Sequence, residues 1–226
     1  MKSFTINTTQ ELLDHFKSLR NSTSFRFRGH SVENWDLVPK AGRDPFKKRS
    51  DQEIFRNWKR RADGLIENRY SSDMDLMTIA QHYGLATRLL DWSLNPLIAT
   101  YFACCDKFES NGQLFIYKSS VTSSDQIKNP FKTERETIIM IQPVGTNSRL
   151  NNQMGYFTLH NPPNFGLNSE LVYDIIIPYQ LKREMIFMLN QFGINNLSIF
   201  PDIEGLTQHL NWFYTNYEYW TNNDFI

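Results

Sequence analysis

Four segments in the second half of the chain are rich in β-branched and aromatic residues: QLFIYK (113–118), ETIIMIQPV (136–144), GYFTLH (155–160) and ELVYDIIIP (170–178). That composition predicts four strands. The first half reads as helices. Thr8-x-x-Glu11 is a capping box followed by Leu12, Leu13, Phe16 and Leu19 at helical spacing. Ser50-x-x-Glu53 opens a second helix over 51–70, with Ile54, Phe55, Trp58, Ala62, Leu65 and Ile66 as one apolar stripe. A third runs from Met74 to Tyr83 and stops at Gly84, and Asn95-Pro96 starts a fourth as cap and first residue. After the strands come a helix from Tyr179 to Asn190, closed by Gly193, and a last one starting at Asp202. Helices, then strands, then helices predict an α+β fold and not a βαβ series. We read residues 1–226 as a single domain: a mostly antiparallel sheet system flanked by N-terminal and C-terminal helices.

Charge and cysteine content narrow the function classes. Lys+Arg and Asp+Glu balance at 24 each, which argues against a general polyanion binder. The two cysteines, Cys104 and Cys105, are adjacent, so no disulfide framework is expected and a reducing cytoplasm is. No apolar run reaches the ~20 residues of a membrane span, and no signal-like leader opens the chain. A soluble, cytoplasmic protein without membrane contact is the expectation. Locally, nine basic residues stand against three acids between Lys40 and Arg61. This is either a solvated helix face or a patch around KKR (47–49) and KRR (59–61) for nucleic acid or an acidic partner.

Chemistry-bearing residues gather in four places. SFRFRGHS (24–31) alternates as a strand, with Phe25 and Phe27 toward a core and Arg26 and Arg28 on the other face. Arg28 adjoins Gly29, where a backbone without a side chain can approach a ligand. QHYGLATRLLDWS (81–93) places His82, Tyr83, Thr87, Arg88, Asp91, Trp92 and Ser93 in what reads as a short connection between two helices. Within it Arg88 can pair with Asp91, Asp91 can cap a turn, and Trp92 can be core. NQMGYFTLH (152–160) brings Gln153, then Tyr156 and Thr158 on one face and Phe157 and Leu159 on the other. LSIFPDIEGL (197–206) has Asp202 as a helix N-cap and Glu204 in the first turn. No dinucleotide glycine fingerprint, P-loop, nucleophile elbow or zinc spacing is present, so no metal is expected.

FRG (27–29), HYGLATRLLDWSLNPLIATYFA (82–103), NQMGYFTLH and IFPDIEGL, in this order, resemble the FRG domain family of bacteria and phages, over about residues 20–212. More remotely, aromatic-Arg-Gly at the end of an early strand is similar to the first motif of arginine-serine-glutamate ADP-ribosyltransferases. That likeness implies that Arg28 grips the diphosphate of NAD, as a guanidinium does better than an ammonium. The chain lacks their S-T-S run and their Glu-x-Glu, so Glu204 stands for the catalytic acid by order, with Glu170 next.

Together these readings give a polar cleft built by Arg28, His82, Thr87, Arg88, Asp91 and Gln153. Gly29 would lie against the ligand, and Tyr83, Trp92 and Phe157 would stack on its rings. The function expected is NAD-dependent ADP-ribosyl transfer or NAD hydrolysis, in phage defence or a toxin system. The competing expectation is a non-enzymatic module that binds nucleic acid or a protein and whose Arg/Asp/His cluster is structural.

Overall fold

The computed structural model describes residues 2–66, 72–132, 135–143 and 155–216. Among them are eight strands: β1 (Lys2–Thr5), β2 (Phe25–His30), β3 (Leu89–Ser93), β4 (Gly112–Lys118), β5 (Thr122–Ser123), β6 (Thr137–Gln142), β7 (Gly155–Asn161) and β8 (Val172–Ile177). They form one open sheet in the order β1-β8-β4-β2-β3-β7-β6-β5. The outermost pairs, β1–β8 and β5–β6, are parallel. The interior pairs are antiparallel, so the sheet is mixed and mostly antiparallel, within an α+β fold.

Seven α-helices accompany the described strands: α1 (Thr9–Leu19), α2 (Asp51–Ala62), α3 (Asp73–His82), α4 (Pro96–Cys104), α5 (Tyr179–Gln191), α6 (Asn196–Ile199) and α7 (Ile203–Thr215). Their starts are written locally. Thr8, Ser50, Ser72, Asn95 and Asp202 each accept a backbone N–H of the first turn, which satisfies donors the helix itself cannot. Gly84 and Gly193, with φ of +83° and +77°, follow α3 and α5 in the left-handed conformation that ends a helix.

One face of the sheet is covered by helices in two groups. Leu12 of α1, Ala99 and Ala103 of α4 and Met185 and Leu189 of α5 pack on Phe27, Leu114, Ile116, Ile175 and Ile177. Phe55 of α2 and Met74, Met77 and Ala80 of α3 pack on Leu89, Ile141, Phe157 and Leu159. The other face carries Leu90, Trp92, Phe115, Met140, Tyr156 and Val172 under Leu37 and Leu167 from loops. The two apolar sets alternate along each strand, as the pleat requires.

Three features of the fold differ from those the sequence predicts. LLDWS is not part of a connection between helices; it is β3, paired over five residues with β7. The helix expected over 51–70 ends at Ala62, and Leu65 is 84% exposed. Asp63-Gly64 breaks the period there, since both residues favour turns over helix. The edge strands β1 and β5 and the one-turn α6 carry no periodic signal, and sequence reading missed them. No described helix is long and apolar enough to cross a membrane.

Candidate functional site

The sheet opens at its centre. β2 pairs with β4 through six register positions, but it meets β3 at one, Phe27 opposite Ser93. Beyond that point the two strands diverge, and α3 and α4 stand on either side of the gap. The result is a cleft of about 310 Å³. Arg28, Gln81, His82, Asp91 and Ser93 give it a polar side, while Ile98, Phe102, Phe157 and Phe200 make an apolar wall. A mostly apolar concavity with a few convergent polar groups is the usual form of a small-molecule site.

Arg28 spans the gap. Its Nη1 donates to the Asp91 carbonyl at 2.7 Å and lies 3.7 Å from Asp91 Oδ2. Its Nε donates to Nε2 of His30 at 2.9 Å, which requires a neutral His30 with its proton on Nδ1. Burial, then the Arg28 charge beside it, hold His30 neutral, with its pKa lowered to about 2. Burial likewise lowers Arg28 to about 10 despite Asp91, so the guanidinium stays charged at neutral pH. Nη2 has no acceptor among the described residues. The Arg28 side chain is 16% exposed and Asp91 55%, so the pair is open to the cleft on the Asp91 side.

Asp91 is oriented from behind. Gln81 Nε2 donates to its Oδ2 at 2.9 Å, and Thr87 Oγ1 donates to Gln81 Oε1 at 2.6 Å. The Leu89 N–H in turn donates to Thr87 Oγ1 at 3.1 Å. Thr87 is therefore buried and acts through Gln81, without lining the cleft. His82 lines the cleft at the end of α3, with its ring edge-on to Tyr83 at 5.0 Å. Trp92 lines it from the core, its Nε1 fixed on Thr158 Oγ1 at 3.0 Å.

Several expected site residues lie elsewhere. Arg88 does not reach Asp91. It is buried beneath α2, where Nε and Nη2 donate to both carboxylate oxygens of Asp51 at 2.6 and 2.8 Å. Its Nη1 also meets Asn161 Oδ1 and the Pro130 carbonyl, and its guanidinium lies 4.7 Å over the Phe131 ring. β3 turns Arg88 away from the cleft because that residue precedes the strand, with Asp51 waiting at the start of α2. Arg26 is structural too, bonded to the Thr23 and Phe25 carbonyls and 4.1 Å over Tyr156. Tyr83 is 73% exposed and outside the cleft lining. Glu204 is exposed in the first turn of α7 and accepts from Gln208; Glu170 is exposed before β8. Gln153 lies outside the described residues. Among the described lining residues the one carboxylate is Asp91.

Two motif glycines serve packing. A Cβ on Gly29 would overlap the Ala99 carbonyl oxygen and sit 2.5 Å from the Ala103 nitrogen. Gly29 thus lets α4 lie directly on β2, and it also lines the cleft beside Arg28. Gly205 does the same for α7, whose added Cβ would overlap the Phe200 carbonyl. Phe200, held this way and edge-on to Phe102 at 6.2 Å, closes the cleft wall. Sequence reasoning passed over Gln81, Ile98, Phe102 and Phe200, although the quoted motifs contain all four. Among the described residues no group of three His, Cys, Asp or Glu is placed to hold a metal ion.

Fold and cleft together define an α+β protein with an arginine–carboxylate cleft at a sheet seam. Residues 23–112 match the model of the FRG domain, which supports the FRG family. That stretch holds every polar residue of the cleft, from Arg28 to Ser93, while the aromatic wall residues Phe157 and Phe200 come from beyond it. Comparison with curated proteins and with solved structures finds no match.

Proposed function

We propose that the cleft binds NAD and that the chain transfers or hydrolyses ADP-ribose, in a toxin or in phage–host conflict. The observation that carries this reading is Arg28 Nη2, a charged donor without an acceptor among the described residues, in a cleft whose one described carboxylate is Asp91. The diphosphate takes Nη2, and the aromatic wall takes a ring. A cleft of about 310 Å³ holds one nucleoside half, leaving the rest of the dinucleotide over the rim.

Asp91, not Glu204, then has the position of the acid. As the bond from ribose C1′ to nicotinamide breaks, nicotinamide leaves with the electron pair and the ribose becomes cationic. The Asp91 carboxylate, held by Gln81, stabilises that charge. Water or an acceptor hydroxyl attacks C1′ and releases its proton.

The test is nicotinamide release from NAD, with label on the adenylate to detect transfer to macromolecules. Wild type is expected to turn over, Arg28→Ala and Asp91→Asn to lose about 100-fold, and Glu204→Ala to be unchanged. No release and no transfer by the wild type, with and without cell extract, overturns the reading. The non-enzymatic alternative predicts salt-sensitive nucleic-acid binding that depends on Lys47, Lys48 and Arg49. Part of that basic segment is engaged locally, since Lys47 pairs with Asp44 at 2.7 Å and Lys59 with Asp73 at 2.5 Å.

A further inference from the structure

The opposite face of the sheet carries a second cavity, of about 650 Å³. Gln113 and Phe115 of β4 and Asp174 and Ile176 of β8 floor it, while Leu114 and Ile175 beside them face the helices. Residues 33–38, 164 and 166–168 supply its walls. Its charge is one-sided: Glu33, Asp36 and Asp174 line it, and no described lining residue is Lys or Arg. None of the three acids forms an ion pair with a described residue.

Asp174 gives the cavity its direction. It is 3% exposed, a carboxylate on the cavity floor without a countercharge. Ser3 Oγ and Gln113 Nε2 donate to it at 2.7 and 2.9 Å, and both choose Oδ2. No described donor reaches Oδ1, which is left to the cavity that Asp174 lines. That oxygen faces the cavity from an otherwise buried side chain, so a charged donor entering the cavity can bond it without first displacing a protein partner. Trp35, 45% exposed, stands in the same lining. An indole beside carboxylates suits an organic cation, which gains from the ring face as well as from the charge. The described carboxylates are not grouped closely enough for a metal ion.

We propose that this cavity binds an alkylguanidinium or alkylammonium group. Its N–H is donated to Asp174 Oδ1, its charge lies among Glu33, Asp36 and Asp174, and its stem contacts Trp35. An arginine or lysine side chain of a peptide and a free amine or guanidine share this chemistry. The proposal is independent of the NAD reading, since the cavity and the cleft share no lining residue.

The test uses the full chain labelled with 15N-tryptophan and titrated with n-butylguanidinium, with n-butylurea as the neutral probe. Trp35→Phe assigns the Trp35 indole signal. A saturable shift of that signal by butylguanidinium, not by butylurea, is expected. Asp174→Asn, which keeps an acceptor for Ser3 and Gln113, should weaken binding about tenfold, and Glu33→Gln about threefold at low salt. The core Trp92 signal reports whether Asp174→Asn is folded; if it is not, Asp36→Asn, with an expected loss of about threefold at low salt, takes its place and keeps the Trp35 reporter. No saturable shift at millimolar probe, an equal response to butylurea, or unchanged binding in the folded variants overturns the proposal. An arginine tripeptide binding more tightly than butylguanidinium identifies a peptide as the source, and equal affinity a free cation; both support the site.

Discussion

Replacing Arg88 by alanine should cost more stability than replacing Arg28, although the two arginines look equally functional in sequence. Arg88 makes two charge-assisted bonds to Asp51, at 2.6 and 2.8 Å, and further bonds to Asn161 and Pro130. Both partners are buried, Arg88 at 5% and Asp51 at 7% exposure. Arg88→Ala leaves the Asp51 carboxylate buried without its cation, which typically costs about 3–5 kcal/mol. The first turn of α2, which contains Asp51, recovers some of this through the helix dipole. At about 2–4 °C per kcal/mol for a chain of this size, the melting temperature should fall by roughly 6–20 °C. Arg28 differs because its ion partner is more than half exposed and keeps its Gln81 bond. That exposed pair contributes at most about 1 kcal/mol, and the bonds to the Asp91 carbonyl and His30 add about 2 more. Arg28→Ala should therefore stay folded and melt roughly 4–12 °C lower. Thermal and urea melts of both variants decide this. A drop of less than about 3 °C for Arg88→Ala, or a larger drop for Arg28→Ala, would refute the assignment of Arg88 to the core and Arg28 to the cleft.

Two further outcomes follow from packing and protonation. Gly29→Ala pushes a methyl group into the backbone of α4, so it should destabilise by about 1–3 kcal/mol or more; a near-neutral urea midpoint would show that α4 does not rest on β2. Burial lowers His160 to about 4, against 6.5 in the unfolded chain. The unfolded state then binds more protons between those values, so stability falls as pH drops from 6.5 toward 4. Each such histidine adds a slope of up to about 1.36 kcal/mol per pH unit, and His160→Gln should flatten the profile measured by urea unfolding at pH 7, 5.5 and 4.5. An unchanged slope would refute a neutral, buried His160.

Local chemistry was legible where its partners lie a few residues away. Thr8, Ser50, Asn95 and Asp202 read as helix caps because a cap is satisfied two or three residues on, and all four are caps. The four strand segments of the second half read as strands because β-branched and aromatic residues crowd each of them. β3 did not, since five residues after Arg88 show no clear alternation and lie between two helices. Arg28 was legible as a candidate by its strand-end position. Its partner, Asp91, was in view 63 residues later but appeared equally suited to Arg88. Glu204 was chosen by order along the chain, and order does not bring α7's first turn to the seam.

The amino-acid sequence by itself determined the helices other than α6, most of their caps, the interior strands other than β3 and the α+β class, because composition, periodicity and capping act within one element. Only the tertiary structure decided which arginine faces the cleft. That choice rests on β2 and β3 touching at one register pair and then diverging. It rests also on α2 placing Asp51 under Arg88 and on α4 using the bare backbone of Gly29. These contacts join residues tens of positions apart, and their energies depend on burial, which exists only once the sheet and helices are packed.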